Sequence, residues 1–362
     1  MWESNFRQSI PGATAEKKRL SWLSTFGLIE IEERIWRSAT ASYQRPLPSR
    51  LGITPCGRSR ALTRALSDFG IEHSFQQAAS RFQEHYGFEI AASTVRTATL
   101  ETAARASAKL EAQYEETFRI LPAEGAEYIL AEADGTMICT VEAAKRGDKH
   151  PRQWKEMRLV AGREQGKQDA SYGGGFINVE QAGQRWGHCV RDAGWAMNST
   201  VHALNDGAVW IDHQVDQVFG PEVSKLCDFF HVCEYIAAAA KSIAPDQVQP
   251  WSELQRKRLK ESNFETVIAE LATHLEPSAT PEDNAPVTAA WRYLSNRRNS
   301  LDYARALGND LPIGSGLIES GHKHVLQARL KKAGSAWLES SAHLVSQLRI
   351  LRSNKQWSIL WN

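Results

Sequence analysis

Three acidic residues stand where a carboxylate could do chemistry in this 362-residue chain. Asp134 lies in EADGT, Asp206 in NDGAVWI and Glu319 in PIGSGLIESGHKHVLQARLKKAG. They are 72 and 113 residues apart, so only a fold could bring them together. Two read as strand ends and the third as the start of a late helix, places that one sheet edge and one packed helix can share. Three carboxylates meeting at one edge repel each other unless divalent cations fill the space between them. Mg²⁺ suits such all-oxygen sites and leaves positions open for water and phosphate oxygens. Two such ions, about 4 Å apart, can activate a water or a 3′-hydroxyl and stabilise the leaving oxygen of a phosphodiester. Glu319 is followed by Lys323, Arg329, Lys331 and Lys332, which suits a helix lying along DNA phosphates. The plain alternative for either Asp-Gly pair is a hairpin turn, and at this point it stays open.

Other groupings are weaker. CDFFHVC gathers Cys227, Asp228, His231 and Cys233, but no second CxxC or HxH pair completes a tetrahedral zinc site. Five scattered cysteines in a chain of this size argue for reduced thiols over a disulfide framework. SYGGG lacks the GK[ST] of a phosphate loop and reads as a flexible connection. Trp154, Trp186, Trp195, Trp210 and Trp337 read as core residues or as stacking platforms for DNA. The net charge is only +1, yet Glu319 to Lys355 carries seven Lys and Arg against two Asp and Glu, and the N-terminal region is also net basic. Basic ends around a neutral middle suit contact with a polyanion at two places, as they would also suit solvated helix faces.

The elements that must position these residues follow from periodicity. FGLIEIEERIWRS alternates and reads as a short strand pair, and QRPLPSRLGITPCGRS as a Pro- and Gly-rich connector. Phe75, Ala78, Ala79, Phe82 and Tyr86 share one helical face, Gly87 breaks it, and Ser93 is the expected N-cap of a second helix bearing Thr94, Arg96 and Thr97 outward. Helix, Gly turn and helix outline a helix-turn-helix whose Arg96 would face DNA. AEYILAEADGTMICTVE reads as a strand, a Gly-containing turn at Asp134 and a second strand, and QWKEMRLVAGREQGK continues the sheet. A helical stretch spans Asn178 to Met197, STVHALNDGAVWID gives an apolar strand, and EVSKLCDFFHVCEYIAAAAKSI gives a strand leading into a helix at Asp228 and His231. From Ala237 to Leu311 the pattern is helical and polar, an insertion in the sheet pattern. No apolar run approaches the roughly 18 residues of a membrane span, and MWESNFRQSI lacks a signal-peptide pattern, so a cytoplasmic protein is expected.

Taken in order, EADGT, WKEMRL, NDGAVWI, CDFFHVCEYI, PIGSGLIESGHKHVLQARLKKAG and RSNKQW resemble the transposases of the ISKra family of bacterial insertion sequences, and more loosely the Mutator-like transposases. The resemblance runs from about Tyr128 to the C-terminus and more weakly back to about Leu20. It implies an RNase H-like catalytic core interrupted by a helical insertion, with an Asp-Asp-Glu triad using Mg²⁺. The family's three acids fall on Asp134, Asp206 and Glu319, and its aspartate-and-histidine motif on Asp228 and His231. Asp228 is the rival of Asp206 for second ligand. GSAWLES departs from the family's Gly-hydrophobic-x-Trp, and LND replaces the usual Gly before the second acid.

The expected architecture is therefore an α/β protein: an RNase H-like mixed sheet with flanking helices, a helical insertion and an N-terminal helix-turn-helix region. Its segments are 1–50, a helix-turn-helix region 51–125, a first core part 126–236, an insertion 237–311 and a last core part 312–362. The expected function is cutting and joining double-stranded DNA at the terminal inverted repeats of a mobile element. Two Mg²⁺ ions, with Mn²⁺ able to substitute, would sit on Asp134, Asp206 and Glu319. Lys323, Arg329, Lys331 and Lys332 would bind phosphates, and a homo-oligomer would handle both ends. The alternatives are a catalytically inactive, transposase-derived DNA-binding protein and a metal-independent hydrolase such as a two-carboxylate glycosidase.

Overall fold

The computed structural model describes residues 14–37, 44–116, 120–143, 151–221 and 223–362. The MWESNFRQSI segment lies outside them. The chain divides into two compact units, residues 1–108 with 355–362, and residues 109–354.

The first unit opens with an antiparallel hairpin, β1 (Thr14–Ser24) and β2 (Gly27–Arg37). The alternating FGLIEIEERIWRS run is thus not a strand pair in itself: it supplies the turn and the whole of β2, whose partner is the preceding segment. After a short α1 (Pro46–Leu51), Cys56 to Ser59 lies along β1 through backbone bonds to Ser21 and Leu23. Three helices follow, α2 (Arg60–Glu72), α3 (Phe75–Tyr86) and α4 (Ala92–Glu116). Leu62, Leu66, Ala78, Ala79, Phe82, Val95 and Ala98 form their shared core. A Ser74–Gln77 capping box starts α3 and a left-handed Gly87 ends it, as the helix, Gly turn, helix outline requires. Ser93 is not the N-cap of α4: the helix begins one residue earlier, and the Ala91 carbonyl accepts from Thr94 and Val95 N–H.

The second unit is built on one mixed sheet in the order β5-β4-β3-β6-β7. Its strands are β3 (Tyr128–Val141), β4 (Arg152–Glu164), β5 (Ser171–Gly175), β6 (Thr200–Asn205) and β7 (Ser224–Cys227). A two-residue β8 (Trp337–Leu338) pairs with the far end of β3. β4 runs antiparallel to its neighbours on both sides, whereas β3, β6 and β7 are parallel. Two expectations change here. Asp134-Gly135 is no hairpin turn, because β3 continues straight through it, paired with Leu159 and Arg158 of β4. SYGGG is no linker but the edge strand β5. Its glycines are needed for close packing: a Cβ on Gly174 would stand 2.3 Å from the Arg158 carbonyl oxygen.

Helix α5 (Val179–Asp192) connects β5 to β6, and α6 (Val209–Phe219) connects β6 to β7. The apolar strand expected over STVHALNDGAVWID stops at Asn205, and Val209 onward is helix. Trp186, Cys189, Val190, Ile211 and Val215 of these helices bury Ile129, Ala131, Ala133, Val201 and Ala203 on one face of the sheet. After β7 come α7 (Phe229–Ile243) and the insertion helices α8 (Val248–Lys260), α9 (Phe264–Ala272), α10 (Pro286–Ser295) and α11 (Tyr303–Gly308). The chain then returns through α12 (Gly316–Gly321), a π-helical turn (His322–Gln327), a closing turn (Ala328–Leu330) and α13 (Glu339–Ser353). Among the described residues, no helix is long and apolar enough to cross a membrane. Trp186 and Trp337 are core residues as expected, while Trp154 stands 63% exposed.

Candidate active site

Register explains how residues distant in sequence arrive together. Glu132 of β3 pairs with Leu204 of β6, and Asn205 of β6 pairs with Cys227 of β7. Continued past the strand ends, the first register puts Asp134 level with Asp206, and the second puts Asp206 level with Asp228. Asp206 and Asp228 therefore stand just past the C-terminal ends of β6 and β7, beside the middle of the longer β3, where Asp134 lies. The three acids line a pocket of about 190 Å³ together with Glu319, Ser315, Phe230, His231 and Glu234.

The four acids differ in what their oxygens already do. Asp134 is half-exposed; its Oδ1 accepts from Gly135 N–H, and its Oδ2 lies 3.2 Å from His322 Nε2. Asp206 accepts from Ala208 N–H through Oδ1 in a turn that re-aims the chain into α6. Glu319 is exposed on α12, and its carboxylate accepts no hydrogen bond from the described residues. Asp228 is 3% exposed and saturated. Its Oδ1 caps α7 by accepting from Phe230 N–H at 2.6 Å and His231 N–H at 2.9 Å. Its Oδ2 accepts from Ser315 N–H at 2.7 Å and from the Ser315 hydroxyl. As rival for second ligand, Asp228 thus has no oxygen to spare, and Asp206 does. Asp228 instead anchors the loop that delivers Glu319.

That loop is pinned from three strands. Besides Asp228, the His202 Nε2 of β6 lies 2.9 Å from the Pro312 carbonyl, and Phe229 N–H donates to the Ile313 carbonyl. From β3, Glu132 Oε2 accepts from Ile318 N–H at 2.8 Å at the start of α12. Burial pushes the Glu132 carboxyl up to about 8. The insertion holds the Asp206 loop in the same way: Tyr293 of α10 donates its hydroxyl to the Asp206 carbonyl, and Arg297 donates to the Gly207 carbonyl. Gly207 has φ +82, and a Cβ there would lie 2.0 Å from Arg297 Nε.

His231 lies at the pocket with its ring edge-on to Tyr235 and Tyr293 and Nδ1 3.4 Å from Glu234. Of the basic residues, Lys323 and Lys331 are exposed, Lys332 is partly so, and Arg96 is exposed on α4 of the first unit. Arg329 does not belong with them. It is 3% exposed, and its guanidinium stacks on the Trp337 ring at 4.6 Å, so it is a core residue of the unit and meets no phosphate.

Sequence reading missed Glu132, Ser315 and His322. Glu132 had a signal, a charge inside the apolar run of β3 and two residues before Asp134, hence on the same strand face. His322 is buried, neither ring nitrogen has an aligned hydrogen-bond partner, and it sits in a π-helical turn three residues after Glu319, a geometry frequent at functional sites. Among the described residues, no three His, Cys, Asp or Glu side chains close on a single point as a metal would require.

The chain matches no protein-family model and no curated protein sequence.

Proposed function

We propose that this chain is a DNA transposase of the Asp-Asp-Glu type with an RNase H-like core, cutting and joining DNA at the ends of an insertion sequence. The observation that carries the reading is that Asp134, Asp206 and Glu319, distant in sequence, line one pocket, with the Glu319 helix tied down beside the sheet. The sheet supports it further: the first three strands form an antiparallel meander, the fourth and fifth add in parallel to the other side of the first, and helices join them.

The donors fit a hard divalent cation in kind, since Asp134, Asp206 and Glu319 all keep lone pairs free toward one pocket. In spacing they are open, and Glu319 is the side chain with freedom to close on the two aspartates. Bound there, Mg²⁺ or Mn²⁺ would supply activation of a water or 3′-hydroxyl and stabilisation of the leaving oxygen. The protein's own part is positional. Asp134 is fixed by its pairing within the sheet, Asp206 by its turn and the Tyr293 and Arg297 bonds, Glu319 by its pinned loop, and Lys323, Lys331 and Lys332 present charge for phosphate oxygens on the same stretch of chain as Glu319. Helix α4 with Arg96 would read the element ends as the second helix of a helix-turn-helix, in an oligomer that holds both ends, in the cytoplasm.

The test is Mg²⁺-dependent nicking of DNA carrying the element ends, comparing wild type with Glu319→Gln at equal folding and DNA affinity. Cleavage by wild type that vanishes in the variant while binding persists is the expected result. Binding without cleavage by either protein, in Mg²⁺ or Mn²⁺, would instead favour an inactive transposase-derived DNA-binding protein, a reading that the open spacing of the acids supports.

A further inference from the structure

The first unit holds a second site, far in character from the acidic pocket. Arg58, Arg60 and Arg105 line a cleft of about 750 Å³ together with Thr54, Glu101 and Trp361. Arg58 precedes the Ser59 N-cap of α2 and Arg60 opens the helix, whose first turn contains no acid. The positive end of the helix and two guanidinium groups therefore face the same space. Arg105 comes from α4, with its guanidinium 5.1 Å above the Trp361 ring. The one acid, Glu101, is bound to Arg58 at 2.5 Å and holds that guanidinium in place, leaving the cleft with a surplus of two positive charges. Two donors at its wall, Arg58 Nε and Trp361 Nε1, are buried without any acceptor, although Trp361 is only 8% exposed. Buried donors are rarely left so, and an oxygen-rich anion would answer both the charge and the missing acceptors.

Position says which anion. Thr97, Glu101 and Arg105 follow each other at four-residue steps, so the cleft lies on the same face of α4 as the exposed Thr97. Eight residues at about 1.5 Å each put Arg105 roughly 12 Å along the axis from Thr97. That is about the width of a major groove. A duplex that received the start of α4 in its groove would bring its flanking sugar-phosphate strand to this cleft.

We propose that the Arg58–Arg60–Arg105 cleft is a clamp for the DNA backbone, gripping phosphate without reading sequence while Arg96 and its neighbours face the groove. The inference rests on the DNA-binding reading of α4 and is independent of cleavage by the acidic pocket.

The experiment titrates the full chain into a fluorescein-labelled duplex at several salt concentrations, read by fluorescence anisotropy. It compares wild type, the Arg60→Gln/Arg105→Gln pair and the charge-keeping Arg60→Lys/Arg105→Lys pair. Arg60 and Arg105 are exposed, so the substitutions leave the core intact, and matched thermal unfolding verifies this. Each lost phosphate contact lowers the slope of log affinity against log salt by about 0.9, so the Gln pair is expected to lose roughly one to two from the slope. The loss of affinity should be equal on two unrelated duplex sequences, and the Lys pair should keep most of the slope. An unchanged slope in the Gln pair, with wild type binding DNA, overturns the clamp and leaves the DNA reading standing. Absence of duplex binding by wild type overturns both. Displacement of the Gln-sensitive part of the signal by inorganic phosphate at constant ionic strength would make the cleft a small-anion site and overturn the backbone assignment.

Discussion

Asp228 offers the sharpest separation between a ligand and a tether. Asp228→Ala removes an N-cap from α7, which costs about 1 kcal/mol. It also removes two charge-assisted bonds to Ser315 in a site that is 3% exposed, leaving those donors stranded at about 2 kcal/mol in all. The expected destabilisation is therefore about 3 kcal/mol, read as a lower urea midpoint at unchanged m-value. Asp228→Asn keeps an oxygen for the cap, since Asn caps as well as Asp, but turns an NH₂ toward the Ser315 N–H, so about half of that loss is expected. Ser315→Ala removes only the hydroxyl bond and should cost about 1 kcal/mol. In the cleavage assay the tether reading makes Ser315→Ala and Asp228→Asn fail in the same direction, the first more mildly, with duplex binding unchanged. A ligand reading makes Asp228→Asn abolish cleavage and Ser315→Ala silent. Asp228→Ala within about 0.5 kcal/mol of wild type would refute the reasoning at its root, because a saturated buried carboxylate cannot be removed so cheaply.

Two further outcomes follow from single side chains. Burial, and secondly Arg185, push the His343 imidazole down to about 4. The unfolded chain then takes up a proton near pH 6.5 that the native state refuses until about pH 4, so stability is full above pH 6.5 and falls by up to about 3 kcal/mol as pH drops through that window. His343→Gln should flatten this part of the urea-midpoint profile, and an unchanged profile would rule His343 out as its source. Gly207→Ala forces a side chain into the left-handed region and against Arg297, so it should cost more than about 2 kcal/mol and depress cleavage beyond what the lost stability explains. Crystallography of that variant should show the Asp206 loop moved; an unmoved loop would mean that Arg297 yields instead.

Much of the second unit was legible because its signals are local. The apolar runs carrying the acids, the helix beginning at Asn178 and the strand-to-helix junction at Asp228 all sit in short windows, and the structure places elements there, the helix closing at Asp192 and not at Met197. The misread places are those where distant partners decide. Asp134-Gly135 looks like a turn in sequence, but thirteen consecutive pairings with β4 keep β3 extended. SYGGG looks flexible until Arg158 and Leu159 approach so closely that only glycine fits. Arg329 looks like a surface cation in a basic run, and only its stacking on Trp337 reveals a buried one. The tether from Asp228 to Ser315 spans 87 residues, and no window of sequence contains it.

The arrangement of the acids also carries an electrostatic cost that the fold has to offset. Like charges that line one pocket repel each other, the more so where water is excluded. Three aspartates sharing a pocket therefore need donors before any cation arrives. Asp228 has four, from two backbone N–H groups of α7 and from both Ser315 donors. Asp134 has Gly135 N–H, with the His322 ring nearby but not aligned to donate, and Asp206 has Ala208 N–H alone. Donor supply thus falls from the buried acid to the accessible ones, and Glu319 has none. The acid with most donors is the one whose charge is satisfied within the protein, and those with fewest are the ones a cation would stabilise most. The same ordering separates tether from ligands: Asp228 holds the frame, while Asp134, Asp206 and Glu319 remain for chemistry.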